Sequence, residues 1–127
     1  MLNQLTIKNV ALIDSAEITF SDGLNILSGE TGAGKSVILD SINFVLGAKA
    51  DKSMIRYGEQ FCLVEAYFTD LSDEVRAQLC DFDIEDSEGI IIKRKFDIAG
   101  NGYIKLNGEN VTATMLKKIT SLLVDVH

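Results

Sequence analysis

The sequence predicts an α/β fold whose mixed sheet sets antiparallel strands beside a glycine-loop core, and three observations carry that prediction. The first is the run Gly29-Glu30-Thr31-Gly32-Ala33-Gly34-Lys35-Ser36. It matches G-x-x-x-x-G-K-[ST], with a strand-like apolar run, Leu24 to Leu27, before it and a helical pattern after it. The second is period-two alternation over residues 2–20, which places a hairpin ahead of the loop. The third is a pair of strand-like runs late in the chain, Ile90 to Phe96 and Tyr103 to Leu106, joined around Gly100-Asn101-Gly102.

Taken in order, Leu2, Leu5, Ile7, Val10 and Leu12 alternate imperfectly with polar residues and predict a first strand. Ala16, Ile18 and Phe20 alternate cleanly with Glu17 and Thr19 and predict a second. Ser21-Asp22-Gly23 has turn chemistry and leads into a third strand at Leu24 to Leu27. Val37, Ile38, Ser41, Ile42, Val45 and Leu46 recur at helical spacing, and Gly47 can end that helix. A polar stretch, Ala48 to Gln60, follows and carries Arg56.

Phe61 to Phe68 predicts a strand with Leu63, Glu65 and Tyr67 on one face and Val64, Ala66 and Phe68 on the other. Ser72 with Val75 and Leu79 marks a short helix without the Glu of a full capping box. Asp81 to Gly89 is an acidic loop. Asn107-Gly108 is a tight-turn signal after the strand Tyr103 to Leu106. Val111 to Ile119 predicts a helix capped by Thr112 or Asn110, and Leu122-Leu123-Val124-Asp125-Val126 a final buried strand. No linker or repeat divides the chain, so residues 1–127 are expected to form one domain.

The glycine run has a specific physical meaning in a strand–loop–helix context. Glycines let the backbone fold back so that consecutive N–H groups point into one concavity. That concavity, with the positive end of the following helix, binds a polyphosphate. This is the P-loop arrangement. Gly29, Glu30, Thr31, Gly32, Ala33, Gly34, Lys35 and Ser36 are the predicted ATP-binding residues. Lys35 supplies a charge at the β- and γ-phosphates and is the candidate catalytic residue, while the Ser36 hydroxyl completes the shell of a Mg²⁺ ion. The bland alternative is a loop that only turns the chain; the constrained positions recur by chance in well under ~1% of chains this long.

Composition narrows the classes further. Twelve basic and nineteen acidic side chains leave a net charge of −7. A domain of that sign does not draw a polyanion over its whole surface. Lys93, Arg94 and Lys95 are consecutive, with Lys105 expected on the partner strand. Lys93 and Lys95 share a face and Arg94 points the other way, and a solvated strand face is favoured over a phosphate contact. Cys62 and Cys80 lack metal-ligand spacing and read as two buried, reduced thiols, and His127 carries no role. No run approaches the ~18 apolar residues of a membrane span, and the N-terminus lacks the pattern of a signal peptide, so a cytoplasmic location is expected.

One family resemblance covers essentially the whole chain. The segments Leu5-Thr6-Ile7-Lys8-Asn9-Val10-Ala11-Leu12-Ile13-Asp14, Gly23-Leu24-Asn25-Ile26-Leu27-Ser28 and the P-loop with its Glu30-Thr31 pair carry it. So do Leu39-Asp40-Ser41-Ile42, Leu46-Gly47-Ala48-Lys49-Ala50-Asp51, Ile104-Lys105-Leu106-Asn107-Gly108 and Leu122-Leu123-Val124-Asp125-Val126-His127. Together they resemble the start of the RecN family, bacterial SMC-like ATPases of recombinational DNA repair.

The resemblance implies a P-loop NTPase fold of the ABC-ATPase type, of which this chain is the N-terminal lobe. In such heads the C-terminal part of a long chain supplies the signature motif, the Walker B acids and the switch histidine. Mg-ATP is held between two heads of a homodimer, and hydrolysis is coupled to DNA in the repair of double-strand breaks. The implied location is cytoplasmic and nucleoid-associated. The chain ends one residue short of the Gly-Gln of the family's Q-loop, so the expectation is an ATPase half-site, inactive alone.

Arg56, in Ser53-Met54-Ile55-Arg56-Tyr57-Gly58, resembles an arginine that SMC-type heads hold near ATP or DNA; the alternative is a solvent-exposed loop arginine. Two other readings stand beside the half-site. Leu122-Leu123-Val124-Asp125 has the form of a Walker B strand, which would make the chain a small self-contained kinase or NTPase with Asp125 on the Mg²⁺ shell. A non-catalytic head-pairing module is the other.

Overall fold

The computed structural model describes residues 2–20, 32–85 and 89–123. Strand β1 (Leu2–Val10) pairs with β2 (Ile13–Thr19), and the register sets Val10 against Ile13. Only Ala11 and Leu12 remain for the turn. Leu12 therefore does not continue the alternating strand, as its apolar character suggested, but stands 80% exposed at the turn tip. Helix α1 (Gly32–Val45) follows, then a 3₁₀ turn at Lys52–Met54 whose N-terminal amide at Ser53 donates to the Asp51 carboxylate.

Next come β3 (Phe61–Phe68), α2 (Asp73–Asp81), β4 (Ile90–Asp97), β5 (Gly102–Leu106), β6 (Glu109–Asn110) and α3 (Ala113–Leu123). The sheet order is β2-β1-β3-β4-β5-β6, and every described pairing is antiparallel. The third predicted strand, Leu24 to Leu27, lies outside the described residues.

Parity along the strands sorts the two faces of the sheet. Leu5 and Ile7 of β1, Cys62, Val64, Ala66 and Phe68 of β3, and Ile90 and Ile92 of β4 are all buried. Phe44 and Val45 of α1, Val75 and Leu79 of α2, and Leu116 and Ile119 of α3 complete the same core. The opposite face carries Thr6, Lys8, Glu65, Tyr67, Lys93, Lys95 and Lys105, which are only partly covered or exposed. Two-layer packing of this kind gives each strand one apolar and one amphipathic edge, which the alternation in the sequence reflects.

The caps explain the element ends. Ser72 accepts from the Val75 amide at 3.2 Å, and Asp73 and Glu74 in the first turn of α2 complement the helix dipole. Asn107 and Gly108 take φ of 52° and 87°, the left-handed pair that a two-residue hairpin turn requires, and β6 pairs back onto β5 there. Thr112 accepts from the Met115 amide at 3.1 Å, so it is Thr112 and not Asn110 that caps α3.

Two further expectations are overturned. Leu122 and Leu123 do not open a buried strand, because α3 runs through both of them. Leu116, Ile119, Thr120 and Leu123 follow one helical stripe, and a short apolar run cannot be assigned to strand or helix by periodicity alone. Val124, Asp125, Val126 and His127 lie outside the described residues. The two thiols also differ: Cys62 is buried in β3, whereas Cys80 is exposed on α2.

Candidate nucleotide site

Helix α1 begins at Gly32, inside the Gly29–Ser36 run, so the second half of that run forms the helix's first turn. Gly29, Glu30 and Thr31 lie outside the described residues, as do the side chains of Ala33 and Lys35. Ser36 is exposed on the first turn. The first turn itself contains no acidic residue, and a helix N-terminus carries a positive partial charge. An exposed hydroxyl there also suits a divalent cation bridged to a phosphate.

The body of α1 lies across the buried face of β1, β3 and β4. Among its described side chains, the fully buried ones fall near its C-terminal end: Ser41, Phe44 and Val45. Ser41 donates back to the Val37 carbonyl at 2.9 Å and so brings no unpaired polar atom into the core. Val37, Ile38 and Ile42 pack at the core's margin.

The C-terminal end is closed by Gly47 at φ 118°. The Ala48 amide donates to the Asn43 carbonyl at 3.0 Å and the Gly47 amide to the Phe44 carbonyl at 3.2 Å, the paired bonds of a Schellman cap. Two side chains from far along the chain add to this. Arg94 Nη1 donates to the Phe44 carbonyl at 2.7 Å and to the Ala48 carbonyl at 2.6 Å, and its guanidinium lies 4.4 Å from the centre of the Phe44 ring. Thr120 Oγ1 donates to the Leu46 carbonyl at 2.8 Å.

Arg94 is thus not part of a solvated strand face. Its strand parity, opposite to that of Lys93 and Lys95, was the signal for an inward-pointing cation. Burial pulls its pKa below the ordinary arginine value, and the carbonyls and ring supply the compensating contacts.

The neighbouring lysines do lie on the other face. Lys93 is opposite Lys105, as expected, and Lys95 is opposite Tyr103. They are not simply solvated. The Lys95 and Lys8 ammonium groups sit 4.6 Å and 5.8 Å from the centre of the Phe61 ring, and that of Lys105 lies 5.4 Å from the Tyr103 ring. A shallow groove on this face is lined by Gln4, Thr6, Glu17, Glu65, Tyr67 and Ile91. Its two carboxylates give it the wrong sign for a phosphate.

Arg56 is half-buried on the loop that packs against the β1–β2 turn. Its amide donates to the Asn9 carbonyl at 2.9 Å, the Ala11 amide donates to the Met54 carbonyl at 2.7 Å, and Val10 bridges Ile55. The backbone of Arg56 is therefore held firmly at the end of the sheet. Among the described residues no group of His, Cys, Asp and Glu side chains is placed to hold a metal ion. No helix among them is long and apolar enough to cross a membrane.

With this geometry in hand, comparison with known proteins is specific. Residues 4–125 match the AAA domain family. The chain is 37% identical over 127 residues to DNA repair protein RecN of Rickettsia typhi, covering all of this chain and 23% of that protein. It is 37% identical over 130 residues to RecN of Bacillus subtilis, with all of this chain and 22% of that protein covered. RecN of Synechocystis sp. is 41% identical over 132 residues, with 99% and 22% covered. The chain thus spans less than a quarter of the length of these curated relatives.

Among solved structures, the fold matches a chain from work on ATP-driven dimerization and DNA-stimulated activation of SMC ATPases. The TM-score is 0.75 and the identity 26%, with 95% of this chain and 78% of that one covered. The SMC head domain from Thermotoga maritima matches at a TM-score of 0.62 and 26% identity, covering 89% and 39%. The fold is that of a P-loop NTPase of the ABC-ATPase head type.

Proposed function

Because the chain belongs to the AAA domain family and corresponds to an N-terminal segment of RecN proteins, we propose that it is the ATP-binding portion of a DNA-repair ATPase head. The observation that carries this reading is the start of α1 within Gly29–Ser36, with a first turn free of carboxylates. Amides of Gly32, Gly34 and their neighbours hold the phosphates, Lys35 neutralises charge between the β- and γ-groups, and the Ser36 hydroxyl holds Mg²⁺ together with phosphate oxygens. Arg56 approaches the nucleotide or DNA from its loop beside the β1–β2 turn.

Hydrolysis needs groups that the predicted site residues do not include, since none of them is a suitable general base. The active unit is accordingly a pair of heads, each completed by the C-terminal part of a longer chain. That assembly acts on DNA in recombinational repair of double-strand breaks, in the cytoplasm and on the nucleoid. α3 includes Leu122 and Leu123, so the Walker B strand of the small self-contained kinase reading does not begin at Leu122.

The test is thermal unfolding of this chain with and without Mg-ATP, beside Lys35→Ala. Saturating nucleotide should raise the wild-type midpoint by several degrees, since binding at about 100 times Kd contributes about 2.7 kcal/mol. Lys35→Ala should abolish the shift while unfolding at the same temperature without nucleotide. No shift for wild type, together with self-association, would support the head-pairing module instead.

A further inference from the structure

The C-terminal end of α1 is held by residues that α1 itself does not contain. Its last turn carries no basic side chain of its own. A cation that bonds it is Arg94 of β4, and a hydroxyl that does so is Thr120 of α3, itself only 5% exposed. Between them they donate to the carbonyls of Phe44, Leu46 and Ala48 at and just past the end of the helix.

The distribution of burial along α1 gives this grip a mechanical meaning. Ser41, Phe44 and Val45 anchor one end, while Ser36, Leu39 and Asp40 are exposed and Val37 and Ile38 are only partly covered. Among its described side chains α1 is thus held most deeply at its tail, with only marginal packing by Val37 and Ile38 toward the Gly29–Ser36 run. Fourteen residues span about 20 Å, so a tilt of about 5° at the tail moves the leading amides by about 1.7 Å. Hydrogen bonds to a phosphate tolerate only a few tenths of an ångström.

We propose that Arg94 and Thr120 are positioning residues for the phosphate site: by gripping the tail of α1 they aim the amides of its first turn. This rests on the nucleotide reading of Gly29–Ser36. Arg94 suits the task because its Nη1 reaches two carbonyls while the guanidinium lies over the Phe44 ring. Thr120 ties the same tail to α3, so β4 and α3 both bear on the direction of α1.

The test uses this chain with Arg94→Gln, Arg94→Lys and Thr120→Val. The last keeps the side-chain volume and is the milder change should Arg94→Gln unfold. Two readouts are taken: amide chemical shifts of Gly32–Ser36 without nucleotide, and Mg-ATP affinity by calorimetry. Both Arg94→Gln and Thr120→Val should shift those amides, some 20 Å from Thr120's end of the helix. They should weaken Mg-ATP by on the order of tenfold and a few-fold respectively, with Arg94→Lys intermediate.

A loss of affinity tracking the first-turn shifts, in variants whose unfolding midpoints leave them fully folded at the assay temperature, supports positioning. Folded variants with unchanged shifts and unchanged affinity overturn it. If the first-turn amides respond but wild type binds no Mg-ATP, the grip stands and the nucleotide reading falls.

Discussion

Lys93 and Lys105 stand directly opposite one another across β4 and β5, on the face of the sheet away from the core. Like charges in that position repel, and the nearest relief along the row is Glu65, which faces Lys93 from β3. Lys105→Glu should turn repulsion into attraction and stabilise the chain by about 0.5–1 kcal/mol at low salt. Urea unfolding at low and high ionic strength checks this. The gain should shrink in high salt, and a variant no more stable than wild type at low salt would show that the two ammonium groups diverge into solvent.

Asn107 joins three segments at one point. Its side chain accepts from the Ile91 amide at 2.8 Å and donates to the carbonyls of Glu85 at 2.6 Å and Gly89 at 3.2 Å, while its backbone holds φ at 52°. Asn107→Ala loses these bonds and meets the left-handed penalty, a combined cost of about 2–3 kcal/mol. Asn107→Gly keeps the backbone easy and loses only the bonds, so its urea midpoint should fall between those of wild type and the alanine variant.

Gly102 is required for a steric reason and not for its φ. A Cβ there would come 2.1 Å from the Lys95 carbonyl oxygen and 3.1 Å from its carbon, both backbone atoms of the paired strand. Gly102→Ala should therefore destabilise by about 2–4 kcal/mol and loosen β5 first, read as faster amide exchange at Tyr103 to Leu106 than at β1.

The two thiols should separate cleanly in reactivity. Cys80 is exposed, whereas burial pushes the Cys62 thiol up, against a smaller opposing pull from the Arg94 charge. A disulfide reagent should label Cys80 in the folded chain and reach Cys62 only on unfolding. The folded thiol binds its proton more tightly than the unfolded one. Its contribution to stability is thus complete below about pH 8.5, where an unfolded cysteine titrates, and is lost as pH rises through the higher folded value. The decline of the urea midpoint above that pH should be shallower in Cys62→Ala.

Local chemistry made much of the fold readable in advance. Phe61 to Phe68 alternates in the sequence and does so in the structure, because a strand with one buried face imposes period two on its residues. Ser72, Gly47 and Asn107-Gly108 marked boundaries where they fall, since capping and positive φ are decided by the residue itself and its immediate neighbours. The fate of Leu122 and Leu123 was not readable. Two leucines suit a buried strand or a buried helix equally, and only packing against α2 and the sheet selects between them.

The sequence by itself determined that a helix begins within a glycine-rich run ending in Lys35 and Ser36, and that an antiparallel hairpin comes before it. Residues adjacent in the chain produce both patterns, so no distant contact is needed to read them. Only the tertiary structure decided that Arg94, which lies 50 positions from Phe44, meets the tail of α1, and that Thr120 meets it there too. Strand parity could say which way Arg94 points. What it meets depends on which helix the sheet receives, and that is set by burial of apolar surface over the whole domain.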